Sequence, residues 1–221
     1  MTAPRRYNAM DNQRSTLSQI FEQTLQHRDV PEMILLLGMM PLNDIKLDAL
    51  TQWGNLGYDL ILKIPRLQDH PAYSNFVRTY FCESCRELNF EQLQRFLPYA
   101  EESVQLEGFL LILLDNVNRT IQVFPKPEKN ISLHDLMNEI SSEQASTNKE
   151  RSKMLEFMIE HVSLHVLEQV SHTLHLQATS QIYHNDFWVD ASKKIQHQIL
   201  KRAAEDAASD RTNETLLKRK M

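Results

Sequence analysis

Four of the nine histidines lie close together in the segment HVSLHVLEQVSHTLH, residues 161–175. On a single helix, with about 100° between successive residues, these imidazoles and one carboxylate share an arc of about 80°. Imidazole and carboxylate are ligands for zinc and similar ions. One hypothesis is therefore a metal site, completed by His184, His197 or Asp186 on a neighbouring helix. The stripe consists of His161, His165, Glu168, His172 and His175.

The same histidine stripe has two other interpretations. The exposed side of a helix carries histidine as readily as glutamine, so the stripe can be a solvated polar strip. If several imidazoles share one interface, protonation below about pH 6.5 brings like charges together and weakens that interface. The helix-based metal motif H-E-x-x-H is missing, and so is a pair of E-x-x-H elements. Their absence favours the solvated strip.

Cys82 and Cys85 form a C-x-x-C pair in the segment FCESC. Such a pair can ligate zinc or cycle between dithiol and disulfide. Zinc needs two further ligands, but the sequence has no second C-x-x-C, and His70 is the one imidazole nearby. A thioredoxin-like pair follows a strand, whereas the preceding YSNFVRTYF has a helical pattern. The sequence therefore favours two free thiols buried among aromatic side chains.

Composition excludes several classes of function. With four glycines, the chain contains neither a phosphate-binding glycine-rich loop nor a G-x-S-x-G nucleophile motif. A net charge of −5 argues against a broad grip on nucleic acid or on an anionic membrane. The most apolar run, GFLLILLDNV (108–117), is shorter than the roughly 20 residues that span a bilayer. No cofactor is expected from these features.

Location is inferred from the N-terminus and the cysteines. The segment MTAPRRYNAMDNQRST has no apolar run of the kind found in secretory signals. Two cysteines do not make a disulfide framework, so a reducing compartment is expected. We therefore expect an intracellular protein, cytoplasmic rather than nuclear.

The distribution of helix breakers predicts the fold class. All eight prolines lie at or before Pro127 and all four glycines at or before Gly108, and valine and isoleucine do not alternate. The last 94 residues thus contain neither of the residues that interrupt helices most strongly. We predict an all-α protein. Its expected parts are a disordered tail (1–15), a helical array (16–124), a linker (125–132), a long helical hairpin (133–208) and a second disordered tail (209–221).

The arrangement of the helices follows from their lengths. In residues 16–124, prolines separate helices of about 10–20 residues, which predicts antiparallel helix pairs stacked side by side. Such a stack resembles HEAT- or armadillo-type arrays in outline, although the sequence has no convincing internal repeat, and a compact irregular bundle explains the same pattern. Residues 147–184 are predicted as one long helix, and a second helix after Asn185 completes the hairpin.

The leading functional hypothesis is a non-enzymatic α-helical interaction subunit or adaptor that binds a protein partner through helical grooves. Methionine-rich segments such as EMILLLGMM suit adaptable apolar surfaces, and large aromatics often anchor partners. A second copy of the chain, bound through the C-terminal helices, is an alternative partner. The alternative function is a helical metalloprotein or metal-dependent enzyme that uses the histidine stripe. The candidate partner contacts are Met39, Met40, Trp53, Phe187 and Trp188.

Overall fold

The structure, a computed structural model, describes residues 5–114, 133–178 and 186–218, with side chains for 16–113, 147–175, Phe187 and 189–209. Every regular element in these residues is helical, so the all-α prediction is confirmed. The α-helices are α1 (Arg5–His27), α2 (Val30–Met39), α3 (Leu47–Leu50), α4 (Asn55–Lys63), α5 (Pro65–Gln68), α6 (Tyr73–Glu87), α7 (Phe90–Phe96), α8 (Glu102–Leu114), α9 (Leu133–His161), α10 (Leu164–Ala178) and α11 (Asp186–Lys218). Short 3₁₀ turns lie at Leu42–Asp44, Thr51–Trp53 and Leu97–Tyr99.

The chain divides into two compact units, Met1–Arg78 and Thr79–Met221. The division falls inside α6, whereas the sequence suggested a boundary at 125–132, which lies outside the described residues. Helix also extends into both predicted tails, because α1 begins at Arg5 and α11 ends at Lys218. Residues 5–15 and 209–218 contain neither the glycine nor the proline that would stop a helix.

In the first unit, α1 packs against α2. The apolar spacing in α1 brings Phe21 and Leu25 into the core, as the sequence pattern predicts. The 3₁₀ turn at Thr51–Trp53 is tied to the end of α1, because the indole N–H of Trp53 donates a hydrogen bond of 2.8 Å to the Leu25 carbonyl oxygen. This buried bond satisfies the one polar group of the indole.

Between α2 and α5 the chain forms four short helical pieces: the 3₁₀ turn at Leu42–Asp44, α3, the 3₁₀ turn at Thr51–Trp53 and α4. No single helix continues through this stretch, because the chain turns at Gly54, whose φ of 61° belongs to the left-handed region. After this turn α4 passes very close to the preceding helix: a Cβ on Gly57 would lie 1.9 Å from the carbonyl oxygen of Leu50. Only glycine fits at that contact.

In the second unit, α8 packs against α9 and α10, and α11 packs against the same two helices. Close packing again depends on a glycine, since a Cβ on Gly108 would lie 2.4 Å from the ring of Phe81 and 2.9 Å from Cys85 Sγ. Large apolar side chains such as Phe109, Met154 and Val166 fill this core.

The long helix predicted over 147–184 is not continuous, because α9 ends at His161 and α10 begins at Leu164. Two contacts explain the corner. The hydroxyl of Ser163 accepts a hydrogen bond of 3.3 Å from the Val166 N–H, as a helix-capping serine does. The guanidinium of Arg202 on α11 donates to the carbonyl oxygens of Ile159, Glu160 and Val162, at 2.5 to 2.9 Å. These bonds satisfy carbonyls that the end of α9 leaves open.

Candidate functional site

Helix α2, with the sequence VPEMILLLGM, begins and ends at well-defined points. The Asp29 carboxylate accepts a hydrogen bond of 3.1 Å from the Glu32 N–H, as a helix-capping aspartate does. Pro31 lies in the first turn, where no backbone donor is needed. The Met40 N–H bonds to the Leu36 carbonyl oxygen at 2.8 Å, and the chain then leaves the helix before Pro41.

Helix α2 carries apolar residues on two opposite sides, but only one of these sides faces the core. Met33, Leu36, Leu37 and Met40 are buried. On the opposite side Ile34, Leu35 and Met39 are exposed by 48%, 65% and 64%. Together with Pro31 and Gly38, which are also exposed, these residues fall within an arc of about 140° at 3.6 residues per turn. We call this surface, formed by Pro31, Ile34, Leu35, Gly38 and Met39, the α2 face.

Gly38 makes a notch in the α2 face. A Cβ placed on Gly38 would meet no atom within 4 Å, so the space above it is open. Exposed large side chains lie one turn before it, at Ile34, and next to it, at Met39. A side chain from another molecule can therefore reach the helix backbone at this point.

Arg66, the second residue of α5, holds the carboxyl end of α2 in place. Its guanidinium donates hydrogen bonds to the carbonyl oxygens of Leu37, Gly38 and Met40, at 2.8, 2.6 and 2.6 Å. A planar, permanently charged guanidinium can serve several acceptors at once, and its positive charge is favourable at a helix carboxyl end. We call this arrangement the Arg66 clasp. Together with the Asp29 cap it fixes both ends of the α2 face.

The candidate partner contacts predicted from sequence differ in their exposure in the structure. Met39 lies on the α2 face, but Met40 and Trp53 are buried, so they contact the core instead of the surface. Phe187 is half-buried at the start of α11, and the side chain of Trp188 lies outside the described residues. Sequence reasoning missed Ile34 and Leu35, although the segment EMILLLGMM that contains them had been singled out.

The histidine stripe is divided by the corner between α9 and α10. His161 is the last residue of α9, where its ring stacks on Phe157 with centroids 4.1 Å apart. Its Nδ1 lies 2.9 Å from the Phe157 carbonyl oxygen and therefore carries the proton of that hydrogen bond. Because α9 ends at His161, the single line of histidines that one continuous helix would form does not include His161.

The other members of the stripe lie on the exposed side of α10. The His165 Nε2 accepts a hydrogen bond of 2.8 Å from the side-chain amide of Gln169. Among the residues that the structure describes, no three His, Cys, Asp or Glu side chains are placed to hold one metal ion. The proposed additional ligand His184 lies outside this part of the chain. The exposed members are His165, Glu168, His172 and His175.

A groove of about 370 Å³ lies between α9 and α11. One of its lysines is paired within the chain: Lys194 Nζ lies 2.9 Å from a Glu156 oxygen and 3.0 Å from an Asp190 oxygen. The hydrogen bond to Glu156, and then that to Asp190, raise the pKa of Lys194 and keep it charged. The lining residues are Glu156, Ile159, Glu160, Lys193, Lys194, His197 and Gln198.

Both cysteines are buried, and no disulfide joins them. Burial, and next the neighbouring Cys82, raise the pKa of the Cys85 thiol above its usual range. Because the thiolate is the reactive form, we expect fewer than about 0.1 thiols per chain to react with an aromatic disulfide reagent in native buffer at pH 8. After unfolding in guanidinium chloride both should react. Rapid reaction of the native protein would contradict the burial.

No described helix is both long enough and apolar enough to cross a membrane. No protein-family model, curated protein or solved structure matches the chain.

Proposed function

We propose that this chain is a non-enzymatic α-helical interaction subunit, which binds a protein partner through the α2 face. The observation that carries the proposal is the exposure of Ile34, Leu35 and Met39 on a helix of ten residues. Single exposed apolar residues are ordinary on protein surfaces, whereas contiguous apolar patches often mark binding sites. The face is contiguous because its members are one turn apart or less.

The free energy available from covering the α2 face is large enough to matter for binding. With exposures of 48%, 65% and 64%, removing the three side chains from water is worth about 3–5 kcal/mol in transfer free energy. The face is also ordered before binding, because the Asp29 cap and the Arg66 clasp fix its ends and the other side of α2 is buried. A preordered surface loses little conformational entropy when a partner binds.

The sequence also predicted antiparallel pairing of short helices, and this pairing is part of the proposal. A helix that packs against one neighbour still has an outward side. In the first unit α1 covers part of α2, and the α2 face remains outside that contact. Methionine and leucine on such a surface adapt to different shapes of partner.

The proposal is tested by Leu35→Glu, which places a charge at the centre of the α2 face. The matched control is Leu200→Glu on α11, where the leucine is 71% exposed. Each immobilised variant is incubated with extract from the native source, and the bound proteins are quantified against wild type. We expect at least one protein to be depleted tenfold or more by Leu35→Glu and to be retained by Leu200→Glu, and the purified partner to show the same difference.

The control also tests the predicted self-association through the C-terminal helices. If Leu200→Glu is the variant that loses the partner or dissociates a dimer, the docking surface lies on α11 and the proposal for the α2 face is wrong. Identical bound proteins for wild type and Leu35→Glu would also contradict it. Circular dichroism melts of all variants must overlap, because both positions are exposed and neither change disturbs the core.

A further inference from the structure

We infer that the occupant of the α2 face is an amphipathic helix of another protein, with an apolar stripe bordered by lysine or arginine. This inference rests on the proposed function and specifies the partner of the same surface. It follows from the size of the face, from the arrangement of its side chains and from its charge.

The size of the α2 face argues against a second copy of the chain as its occupant. A symmetric contact through this face would contribute five residues from each copy. Stable dimers bury about 20–30 residues a side. Recognition of a single helix, in contrast, needs only a few anchors spaced at i, i+3, i+4 and i+7. The dimensions of the face fit the second kind of contact.

The arrangement of the side chains suits a helix as ligand. Pro31, Leu35 and Met39 are four residues apart and form one ridge along α2, and Ile34 and Gly38 form the next. A second helix packs by inserting its own ridge between two such rows. Gly38 has no side chain, so the second row has a gap at that position, and the space above it is open. A large side chain of the partner fits into this gap.

The backbone of α2 offers little to a ligand that binds by adding a strand. Asp29 accepts from the Glu32 N–H at one end, and the Arg66 clasp occupies three carbonyl oxygens at the other. Between these ends the helix satisfies its own peptide groups. A strand-type ligand needs unpaired backbone donors and acceptors. Recognition of the α2 face must therefore depend on side chains.

The charge at the border of the α2 face favours a basic partner. Glu32 is the only charged residue within α2, and its side chain is exposed. On the helix it lies about 60° from Leu35 and one turn before it, so it borders the apolar residues at the amino-terminal end of the face. A lysine or arginine beside the apolar stripe of the partner would meet this carboxylate. The net charge of the chain, −5, attracts the same kind of partner.

The test uses a display library of 18-residue helical peptides with all outward positions randomised, selected on the intact chain. Peptides that bind Leu35→Glu are removed in a counter-selection. We expect the selected peptides to share apolar residues at i, i+4 and i+7 with lysine or arginine beside them. Their affinity should fall at least tenfold for Leu35→Glu and for Gly38→Leu, which fills the notch, and should be unchanged for Leu200→Glu.

The charge contribution is tested by repeating the selection on Glu32→Lys. The residues that border the apolar stripe should then change from lysine and arginine to aspartate and glutamate. Selected peptides without an apolar stripe, an empty selection, or the same border residues on both proteins would overturn the inference.

Two further measurements separate this inference from the proposed function. One is sedimentation velocity of the chain alone, and the other is binding to vesicles of phosphatidylcholine and phosphatidylserine. If Leu35→Glu abolishes self-association, the occupant is a second copy; if it abolishes vesicle binding, the occupant is a lipid surface. Self-association would overturn the inference while keeping a protein partner at the α2 face. Vesicle binding, or no Leu35-dependent binding of any kind, would overturn both.

Discussion

Replacing Gly57 with alanine is expected to lower the free energy of unfolding by about 3 kcal/mol, the upper end of the range for overpacked cores. The added Cβ would lie 1.9 Å from the Leu50 carbonyl oxygen and 2.7 Å from its carbonyl carbon. These are backbone atoms, so α4 and the preceding helix must move apart. The measurement is urea unfolding followed by circular dichroism at 222 nm.

The matched control for Gly57→Ala is Gly38→Ala, the same change in another helix. Nothing lies within 4 Å of a Cβ on Gly38. Because alanine favours helix over glycine, Gly38→Ala should raise the free energy of unfolding by about 0.5–1 kcal/mol. If the free energy of unfolding falls for Gly57→Ala and rises for Gly38→Ala, the difference comes from the close contact at Gly57. Equal effects would mean that Gly57 is not held against Leu50.

Replacing Arg66 with alanine is expected to lower the free energy of unfolding by about 3 kcal/mol, because three charge-assisted hydrogen bonds are lost together. The carbonyl oxygens of Leu37 and Met40 lose their partner while they remain partly buried. Hydrogen exchange at the end of α2, from Leu36 to Met40, should accelerate, since the loss is local to that turn.

Two substitutions show whether the geometry of Arg66 or only its charge matters. Arg66→Lys keeps the charge but loses the planar fork, so we expect it to recover less than half of the lost stability. Arg28→Ala removes an exposed arginine of the same unit and should change stability by less than about 0.5 kcal/mol. Full recovery by lysine would show that the charge alone stabilises the carboxyl end of α2.

Local chemistry made part of this fold predictable. The bounds of α2 follow from the Asp29 cap, from proline in the first turn and from Pro41 beyond the end. The all-α class follows from the scarcity of glycine and from the position of the prolines. These signals act over a few residues, so a single sequence contains them.

Long-range contacts could not be predicted in the same way. The Arg66 clasp joins residues 26 to 29 positions apart, and Arg202 reaches carbonyl oxygens 40 to 43 positions away. The sequence around Arg66 and around Arg202 contains no pattern that predicts these contacts. The corner after His161 depends on Arg202 and on Ser163, a residue that also occurs inside helices, so the segment looked continuous.

The candidate site was predictable as a segment but not as a surface. Because α2 carries large apolar residues on both its buried and its exposed side, its periodicity does not distinguish the two. Met39 and Met40 are adjacent and chemically identical, yet one is exposed and the other buried. The difference is decided by where α1 packs, which is tertiary information.

Helix α2 is only ten residues long, about 15 Å along its axis, so the α2 face has room for a single ligand helix. Two proteins that both use it cannot be bound at the same time. They must compete, and the more abundant or the tighter binder displaces the other. Under the proposed function, the chain would therefore select one ligand at a time, whereas a scaffold binds several together.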